Sequence, residues 1–246
     1  MKELFLKSIS LVIIATSLSM ASVKQINYKA TFGIFGTVGK IHNTVTKDSK
    51  HYTIKTSVRL SGMAKMMLGG QKEDYISRGH LYKGRMISDF YEMTTRKGST
   101  KKVKTYTLHH KGKYVTKRYR KWVKGKLIKD KTRRLKYYGS DDLLTLYFNM
   151  GTVLKKKGMI YHFSVVGLEK QNGRVNVTVP LDKHARRYKK DLGAGASLYA
   201  KALIHQKNFK KDKGNILLAL GKDGIVSKSV IKDIMLYGDA ELIRTR

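Results

Sequence analysis

Cysteine is absent from this 246-residue chain, and proline occurs once, at Pro180. The absence of cysteine excludes disulfides, thiolate metal sites and a cysteine nucleophile. Stability must therefore come from packing, which a chain of this length can supply. With a single proline, the 22 glycines must form nearly all of the turns.

Acidic residues are also scarce, with 17 Asp and Glu against 52 Lys and Arg, which gives a formal net charge of +35. A positive field of this size attracts anionic lipid headgroups, acidic polysaccharides or nucleic acid. A lysine bias across a whole proteome would give the same composition, so charge alone does not identify a ligand. Hydrophobic residues make up 41% of the chain, which is enough for a folded core.

The N-terminal segment has the pattern of a secretory signal peptide. Lys2 and Lys7 precede an uncharged apolar run over residues 9–18, and Ser19-Met20-Ala21 follows it. The pattern predicts a signal peptide over residues 1–21, cut after Ala21. The run is shorter than the roughly 20 residues that span a bilayer, so no integral membrane span is predicted. We expect residues 22–246 to fold in the periplasm as a single β-rich domain.

Apolar and polar residues alternate with a period of two in many short segments, most clearly over residues 51–60. Such alternation is typical of strands that bury one face. Glycine turns separate the segments, and Asn172-Gly173 and Asp223-Gly224 are the strongest hairpin signals. The sequence therefore predicts a mainly β fold, an antiparallel meander that forms a curved sheet, half barrel or barrel. The alternating segments are residues 26–32, 51–60, 86–93, 103–108, 161–166, 174–181, 197–205, 215–220 and 225–236.

One segment predicts a helix instead. Ser140, Asp141 and Asp142 precede an apolar stretch, and Gly151 follows it. We expect a helix over residues 141–150, capped by Ser140, with both aspartates at the positive end of its dipole. A paired acid–base role for the aspartates is the minor alternative. The helix should pack on the concave side of the sheet through four residues that share one face: Leu143, Leu146, Tyr147 and Met150.

A methionine-rich stretch between Gly62 and Gly69 interrupts the strand pattern. It contains Met63, Met66, Met67 and Leu68. Methionine-rich loops adapt to irregular apolar ligands, although such a stretch can also close one end of the core. These four residues and the apolar face of the predicted helix are the candidate ligand contacts.

Residues 111–136 form a strongly basic segment, with 13 Lys or Arg and one acidic residue, Asp130. Aromatic residues are interleaved with the cations, a composition that suits anionic surfaces. It equally suits an exposed hairpin whose lysines oppose edge-to-edge association. Secretion argues against a specific nucleic acid partner. The candidate surface contacts are Lys117, Arg118, Arg120, Lys121, Trp122 and Lys124.

Motifs for catalysis and metal binding are not found in the sequence. The eight histidines form no helical zinc pair, and no serine lies in a Gly-x-Ser-x-Gly elbow. Gly36-Thr37-Val38-Gly39-Lys40 has the wrong spacing for a phosphate-binding loop. We therefore predict no catalytic residues, no metal and no cofactor.

The signal peptide precedes an opening strand at residues 28–32, a central segment at residues 142–147 and a closing strand pair within residues 223–239. Together these features resemble a bacterial envelope family known as domain of unknown function 3108, with Thr145 where that family usually has serine. The resemblance implies a periplasmic antiparallel β domain without an established reaction. In shape the arrangement is also similar to periplasmic lipoprotein carriers, whose curved sheet shelters acyl chains under a helix.

The leading hypothesis is a non-enzymatic periplasmic protein that binds a lipid-like or amphiphilic envelope component in its curved sheet. The alternative is a cationic interaction module that binds anionic envelope surfaces or polymers through residues 111–136. Salt should weaken such surface binding steeply, but not the capture of an acyl chain. An outer-membrane barrel is a lesser alternative, as is a hydrolase assembled from distant residues such as His162, Glu169 and His205.

Overall fold

The structure, a computed structural model, describes residues 21–67, 69–168, 170–205, 209, 213–234 and 238–245. Residues 1–20 of the predicted signal peptide lie outside the described residues. The strands are β1 (Ser22–Phe32), β2 (Thr37–Lys47), β3 (His51–Leu60), β4 (Lys72–Tyr82), β5 (Arg85–Lys97), β6 (Thr100–His109), β7 (Tyr114–Val123), β8 (Lys126–Arg134), β9 (Asp141–Asp142), β10 (Ile160–Val166), β11 (Arg174–Thr178), β12 (Leu198–His205), β13 (Lys213–Leu220), β14 (Val226–Ile234) and β15 (Gly238–Thr245). The α-helices are α1 (Gly62–Met67), α2 (Leu143–Val153) and α3 (Asp182–Leu192), and single 3-10 turns lie at Gly33–Phe35 and Gln171–Gly173.

The strands form one sheet in the order β8-β7-β6-β5-β4-β3-β2-β1-β15-β14-β13-β12-β11-β10-β9. All neighbours are antiparallel except β9 and β10, which run parallel. No pair of described strands joins β8 to β9, so the sheet is open. The sheet is strongly curled, and the curl brings Val166 of β10 into contact with Tyr91 of β5 and Tyr106 of β6. The predicted mainly β fold with a curved antiparallel sheet is confirmed, with three short helices in place of one.

Burial follows the predicted alternation on the strands that were clearest in the sequence. On β3, Tyr52, Ile54 and Thr56 are buried and face the concave side of the sheet. The alternation does not predict β2 and β4, because their inward positions include the polar Asn43 and Ser77. These two polar side chains are buried through hydrogen bonds, which a hydrophobic pattern does not detect.

Helix α2 lies inside the concavity, between the two halves of the sheet. Leu146 and Met150 pack against the core of β10–β14, whereas Leu144 and Phe148 pack against the core of β1–β5. The helix therefore buries two opposite sides, one against each wall, whereas the sequence predicted one buried face.

The ends of α2 differ from the sequence prediction. Asp142, not Ser140, is the N-cap, and its carboxylate accepts a hydrogen bond from the Thr145 amide at 2.9 Å. The Ser140 amide instead donates to the Ser164 carbonyl of β10. Gly151 does not end the helix, which continues to Val153. The absence of a side chain at Gly151 lets the helix approach the turn at Gly224 closely.

The other two helices lie outside the concavity. Helix α3 covers the convex face of β12–β14, where Ala185 and Leu192 pack on Tyr199 and Leu217. Helix α1 connects β3 to β4 at the end of the sheet that also carries the β1–β2 and β5–β6 connections. None of the helices in the described part of the chain is long and apolar enough to cross a membrane.

A substitution at Gly151 tests the contact between α2 and the sheet. A methyl group there would lie 2.4 Å from the Gly224 Cα and 2.5 Å from its carbonyl oxygen. Gly151→Ala should therefore destabilise the protein by about 1–3 kcal/mol, although the same change in an unpacked helix would stabilise it by about 1 kcal/mol. Urea unfolding measures the difference, with the exposed neighbour Thr152→Ala as a control that should stay within about 0.5 kcal/mol of wild type. An unchanged or increased stability for Gly151→Ala would contradict the close packing.

Candidate ligand cavity

A cavity of about 690 Å³ lies in the concavity between the two halves of the sheet. Helix α2 is 11 residues long, or about 16 Å. Strands of 10 to 11 residues, such as β1 to β4, extend for roughly 33–36 Å. The helix is therefore too short to fill the whole concavity. The cavity occupies the end at which α1 connects β3 to β4.

Both walls of the cavity are mainly apolar. One wall comes from β1–β6, the other from β12–β15, and α2 separates the cavity from the opposite end of the sheet. The lining residues are Tyr28, Ile41, Asn43, Thr56, Val58, Glu73, Tyr75, Tyr91, Met93, Lys104, Leu143, Leu144, Tyr147, Gly167, Leu168, Ile204, Phe209, Ile216, Ile231 and Leu242.

Apart from Lys104 of β6, the polar groups of the lining form two small clusters on β2–β4. Asn43 donates to the Ile26 carbonyl at 2.7 Å and accepts from the Thr56 hydroxyl at 2.7 Å. Glu73 accepts hydrogen bonds from Gln71 and from the Tyr75 hydroxyl. Burial and the neighbouring Glu73 charge raise the pKa of Tyr75, so its hydroxyl stays protonated. The cavity thus combines long apolar walls with a few fixed polar groups, as ligand sites commonly do.

The structure separates the predicted ligand contacts into three groups. Leu143 and Tyr147 line the cavity, and Tyr147 makes an edge-to-face contact with Tyr28. Leu146 and Met150 are buried in the core instead. Met66 of α1 is 81% exposed beside the cavity end of the sheet. The side chains of Met63 and Met67, and all of Leu68, lie outside the described residues.

Helix α2 is held in place by the first part of β5, which has no neighbouring strand on one side and which we call the half-edge of β5. Strand β6 pairs with β5 only from Phe90 onward, so the backbone groups of Met86 and Ser88 have no strand partner on that side. Asn149 of α2 accepts from the Met86 amide at 3.2 Å and donates to its carbonyl at 2.8 Å. Asp141 accepts from the Ser88 amide at 3.2 Å. Side chains from β9 and α2 therefore take the place of a neighbouring strand.

Asp142 is completely buried and lies at the centre of a hydrogen-bonded network. Its carboxylate accepts from the hydroxyls of Ser77 at 2.6 Å and Thr145 at 2.8 Å. The Tyr52 hydroxyl lies 2.7 Å from that of Thr145 and 3.1 Å from that of Ser77. Burial raises the pKa of Asp142 and outweighs the lowering effect of these hydrogen bonds. Both aspartates thus anchor this end of α2, Asp142 to Ser77 of β4 and Asp141 to Ser88 of β5.

This network was not predicted from the sequence, although the sequence contains one signal for it. Asp142, Thr145 and Asn149 are spaced by three and four residues on an otherwise apolar helix, so they share one side. Polar residues at helical spacing within an apolar stretch indicate a buried polar contact. Their partners on β4 and β5 are set by the curl of the sheet and have no such signal.

A second, smaller cavity of about 430 Å³ lies on the other side of α2. Phe148, Met86 and Ile26 form its apolar floor, and Lys24 and Lys47 lie at its edge. Burial and the nearby Lys24 charge lower the pKa of Lys47. The helix therefore divides the concavity into two separate spaces.

The predicted surface contacts on β7 lie on both faces of the strand. Trp122 and Arg118 are convex, and Arg118 forms a double hydrogen bond with Asp130 of β8 at 2.9 and 2.5 Å. Trp122 has Lys101 at 5.0 Å and Arg120 at 5.4 Å from its ring centre, a cation–π arrangement. The other three predicted contacts are Lys117, Lys121 and Lys124, the last of which lies in the β7–β8 turn.

The structure describes two of the three residues considered for an assembled hydrolase, His162 and His205. The His162 ring hydrogen-bonds Asn176 at 2.8 Å and is exposed, and Glu169 lies outside the described residues. A different cluster forms at the β5 half-edge, where Asp89 lies 2.9 Å from the His80 ring and 3.1 Å from the His110 ring. The described residues contain no group of three His, Asp or Glu placed to hold a metal ion.

Comparisons with known proteins find a similarity to solved structures. No protein-family model matches the chain, and no curated protein matches it. A crystal structure of a beta-barrel-like protein of domain of unknown function DUF1849 from Brucella abortus has a TM-score of 0.49 and 12% sequence identity. The alignment covers 90% of this chain and 95% of that protein.

The half-edge contact predicts an unusual pH dependence. Burial raises the pKa of Asp141 to about 6, and its ion pair with Arg85 only partly opposes the shift. Protonation therefore favours the folded state, so this contribution to stability is present below the usual carboxyl pKa and is lost as the pH rises through about 6. From about pH 4 to pH 7, wild type should lose 2–3 kcal/mol more unfolding free energy than Asp141→Asn.

Urea unfolding across that pH range measures the difference, with the exposed Asp182→Asn as the control. The control should follow wild type at each pH. A constant difference between wild type and Asp141→Asn would show that Asp141 does not titrate in this way.

Proposed function

We propose that this protein is a non-enzymatic periplasmic binding protein, which holds a lipid-like or amphiphilic envelope component in the larger of the two cavities beside α2. The observation that carries the proposal is the cavity of about 690 Å³ between two apolar walls. Its volume lies within the roughly 300–1,000 Å³ typical of ligand sites. The apolar part of the ligand would contact Ile41 and Val58 on one wall and Ile216 and Ile231 on the other.

The surroundings of the cavity support a preformed site. Helix α2 is tied to β4 and β5 by Asp142 and Asn149 and is packed between both walls. A site that exists before the ligand arrives avoids much of the entropy cost of ordering side chains on binding. Binding would be driven by removal of apolar surface from water, at about 25 cal/mol per Å².

The location in the periplasm is part of the same proposal. It rests on the signal peptide pattern of residues 1–21 and on the resemblance to domain of unknown function 3108. The exposed Met66 lies at the cavity end of the sheet and would contact an amphiphile as it enters or leaves. No bond is made or broken in this function, so it requires no catalytic residue, metal or cofactor.

The alternative function is attachment to anionic envelope surfaces through the basic β7–β8 hairpin, without use of the cavity. Every residue of β8 is exposed, including Leu127 and Ile128, which favours contact with another molecule. The two functions differ in the effect of filling the cavity. A filled cavity abolishes amphiphile binding and leaves surface attachment intact.

Tryptophan substitutions on opposite walls test the proposed function. Val58→Trp and Ile216→Trp place a large ring in the cavity and should each weaken binding of a dansyl-labelled fatty acid by about tenfold or more. Lys55→Trp adds the same ring to the convex face of β3 and should leave the affinity unchanged. Fluorescence titration of delipidated residues 22–246 gives the affinities, and native mass spectrometry of protein from the periplasm identifies amphiphiles that co-purify.

Two results would overturn the proposal. In the first, the delipidated protein neither retains nor takes up amphiphiles. In the second, the three tryptophan variants bind the labelled fatty acid as tightly as wild type, which would place binding outside the cavity. Circular dichroism shows whether each variant is folded.

A further inference from the structure

The concave wall of the cavity continues beyond its apolar part onto β6, β7 and β8. Lys104 of β6 lines the cavity together with Met93, its partner on β5. The register then pairs Lys104 with Tyr119 of β7, and Tyr119 with Lys131 of β8. Directly paired residues lie on the same face of a sheet. The three residues therefore form a row that leads outward from the cavity.

A parallel row lies one pleat further along the same strands. Tyr106 of β6 is buried on the concave side, and it pairs with Lys117, which pairs with Arg133. The Lys117 ammonium lies 5.4 Å from the centre of the Tyr106 ring. On this concave face, which we call the basic shelf, the outward-leading residues are Lys104, Lys117, Tyr119, Lys121, Lys131 and Arg133.

The basic shelf differs from the convex face of the same strands in the ion pairs that its cations form. The single acidic residue of β6–β8 is Asp130, and it pairs with Arg118 on the convex face. Within the described part of the chain, Lys121, Lys131 and Arg133 of the shelf make no ion pair with a carboxylate. The shelf is therefore a one-sided cluster of cations beside an apolar cavity.

We propose that the basic shelf is a headgroup site, and that the amphiphile held in the cavity carries a phosphate or similarly charged anionic headgroup. This inference rests on the proposed function, because it needs an acyl chain in the cavity. Adjacent strands are about 4.8 Å apart, so Lys104 and Lys131 are separated by roughly 10 Å across β7. A headgroup over Tyr119 would then be within reach of lysines on three strands.

The acidic residue of the cavity lining does not oppose this arrangement. Glu73 is on β4, two strands before Lys104, and its carboxylate accepts from Gln71 and Tyr75. The cations are concentrated on the β6–β8 side of the cavity. The charge distribution therefore orients an anionic amphiphile with its headgroup toward β8 and its chain toward α2.

Two triple variants that remove equal charge test the headgroup site. The shelf variant is Lys117→Gln/Lys121→Gln/Lys131→Gln, and the convex control is Lys101→Gln/Arg120→Gln/Arg134→Gln. The probes are lysophosphatidic acid and lysophosphatidylcholine with the same acyl chain, used as monomers in isothermal titration calorimetry. Inorganic phosphate alone is the third probe, and circular dichroism verifies that each variant is folded.

Wild type should bind lysophosphatidic acid more tightly than lysophosphatidylcholine, and salt should reduce that preference. The shelf variant should lose about tenfold or more of its affinity for lysophosphatidic acid, and should change by less than about twofold for lysophosphatidylcholine. The convex control should keep wild-type affinity for both lipids.

Three results would overturn the headgroup site. If both lipids bind equally and the shelf variant alters neither affinity, the cavity binds amphiphiles but the shelf does not select their headgroup. If inorganic phosphate binds the shelf as tightly as lysophosphatidic acid, the shelf is a phosphate site independent of a lipid. If neither lipid binds wild type, the proposed function itself fails.

Discussion

The structure depends on one constraint, which is that buried backbone amides and carbonyls must have hydrogen-bond partners. Strand β6 does not pair with β5 before Phe90, and the buried, unpaired half-edge of β5 faces the inside of the curled sheet. Asn149 and Asp141 provide the missing partners from α2 and β9. These contacts join β9, the last strand in the order of the 15-stranded sheet, and α2 to β5, and they therefore hold the curled sheet and the helix in position.

The position of α2 determines which part of the concavity is filled by packed side chains and which part remains a cavity. Gly151 lets the helix approach Gly224, and Leu146 fills the space beside β10–β14. Eleven helical residues are too short to fill the whole concavity, so a space of about 690 Å³ remains at one end. The buried carboxylate of Asp142, which receives three hydrogen bonds, keeps this arrangement rigid rather than merely compact.

The positive charge is distributed unevenly around this hollow end. On the convex face of β6–β8, Arg118 pairs with Asp130, and Lys101 and Arg120 stack on Trp122. On the concave face, cations extend from Lys104 at the cavity to β8, and among the described residues Lys121, Lys131 and Arg133 form no ion pair with a carboxylate. A net charge explains only non-specific attraction. A row of cations on one face of the sheet, beside an apolar cavity, can in addition orient a ligand.

The sequence by itself determined the β-rich class, the curved antiparallel sheet and a helix near residues 141–150, because alternation and capping act over a few neighbouring residues. It also indicated Leu143 and Tyr147, which line the cavity. Only the tertiary structure decided that Leu146 and Met150 are core residues, that Asp142 reaches Ser77, and that the charges of β7 divide between two faces. Those features depend on strand register and on the curl of the sheet. Both bring together residues far apart in the chain, such as Ser77 and Asp142, whose sequence separation is 65, so no local pattern records them.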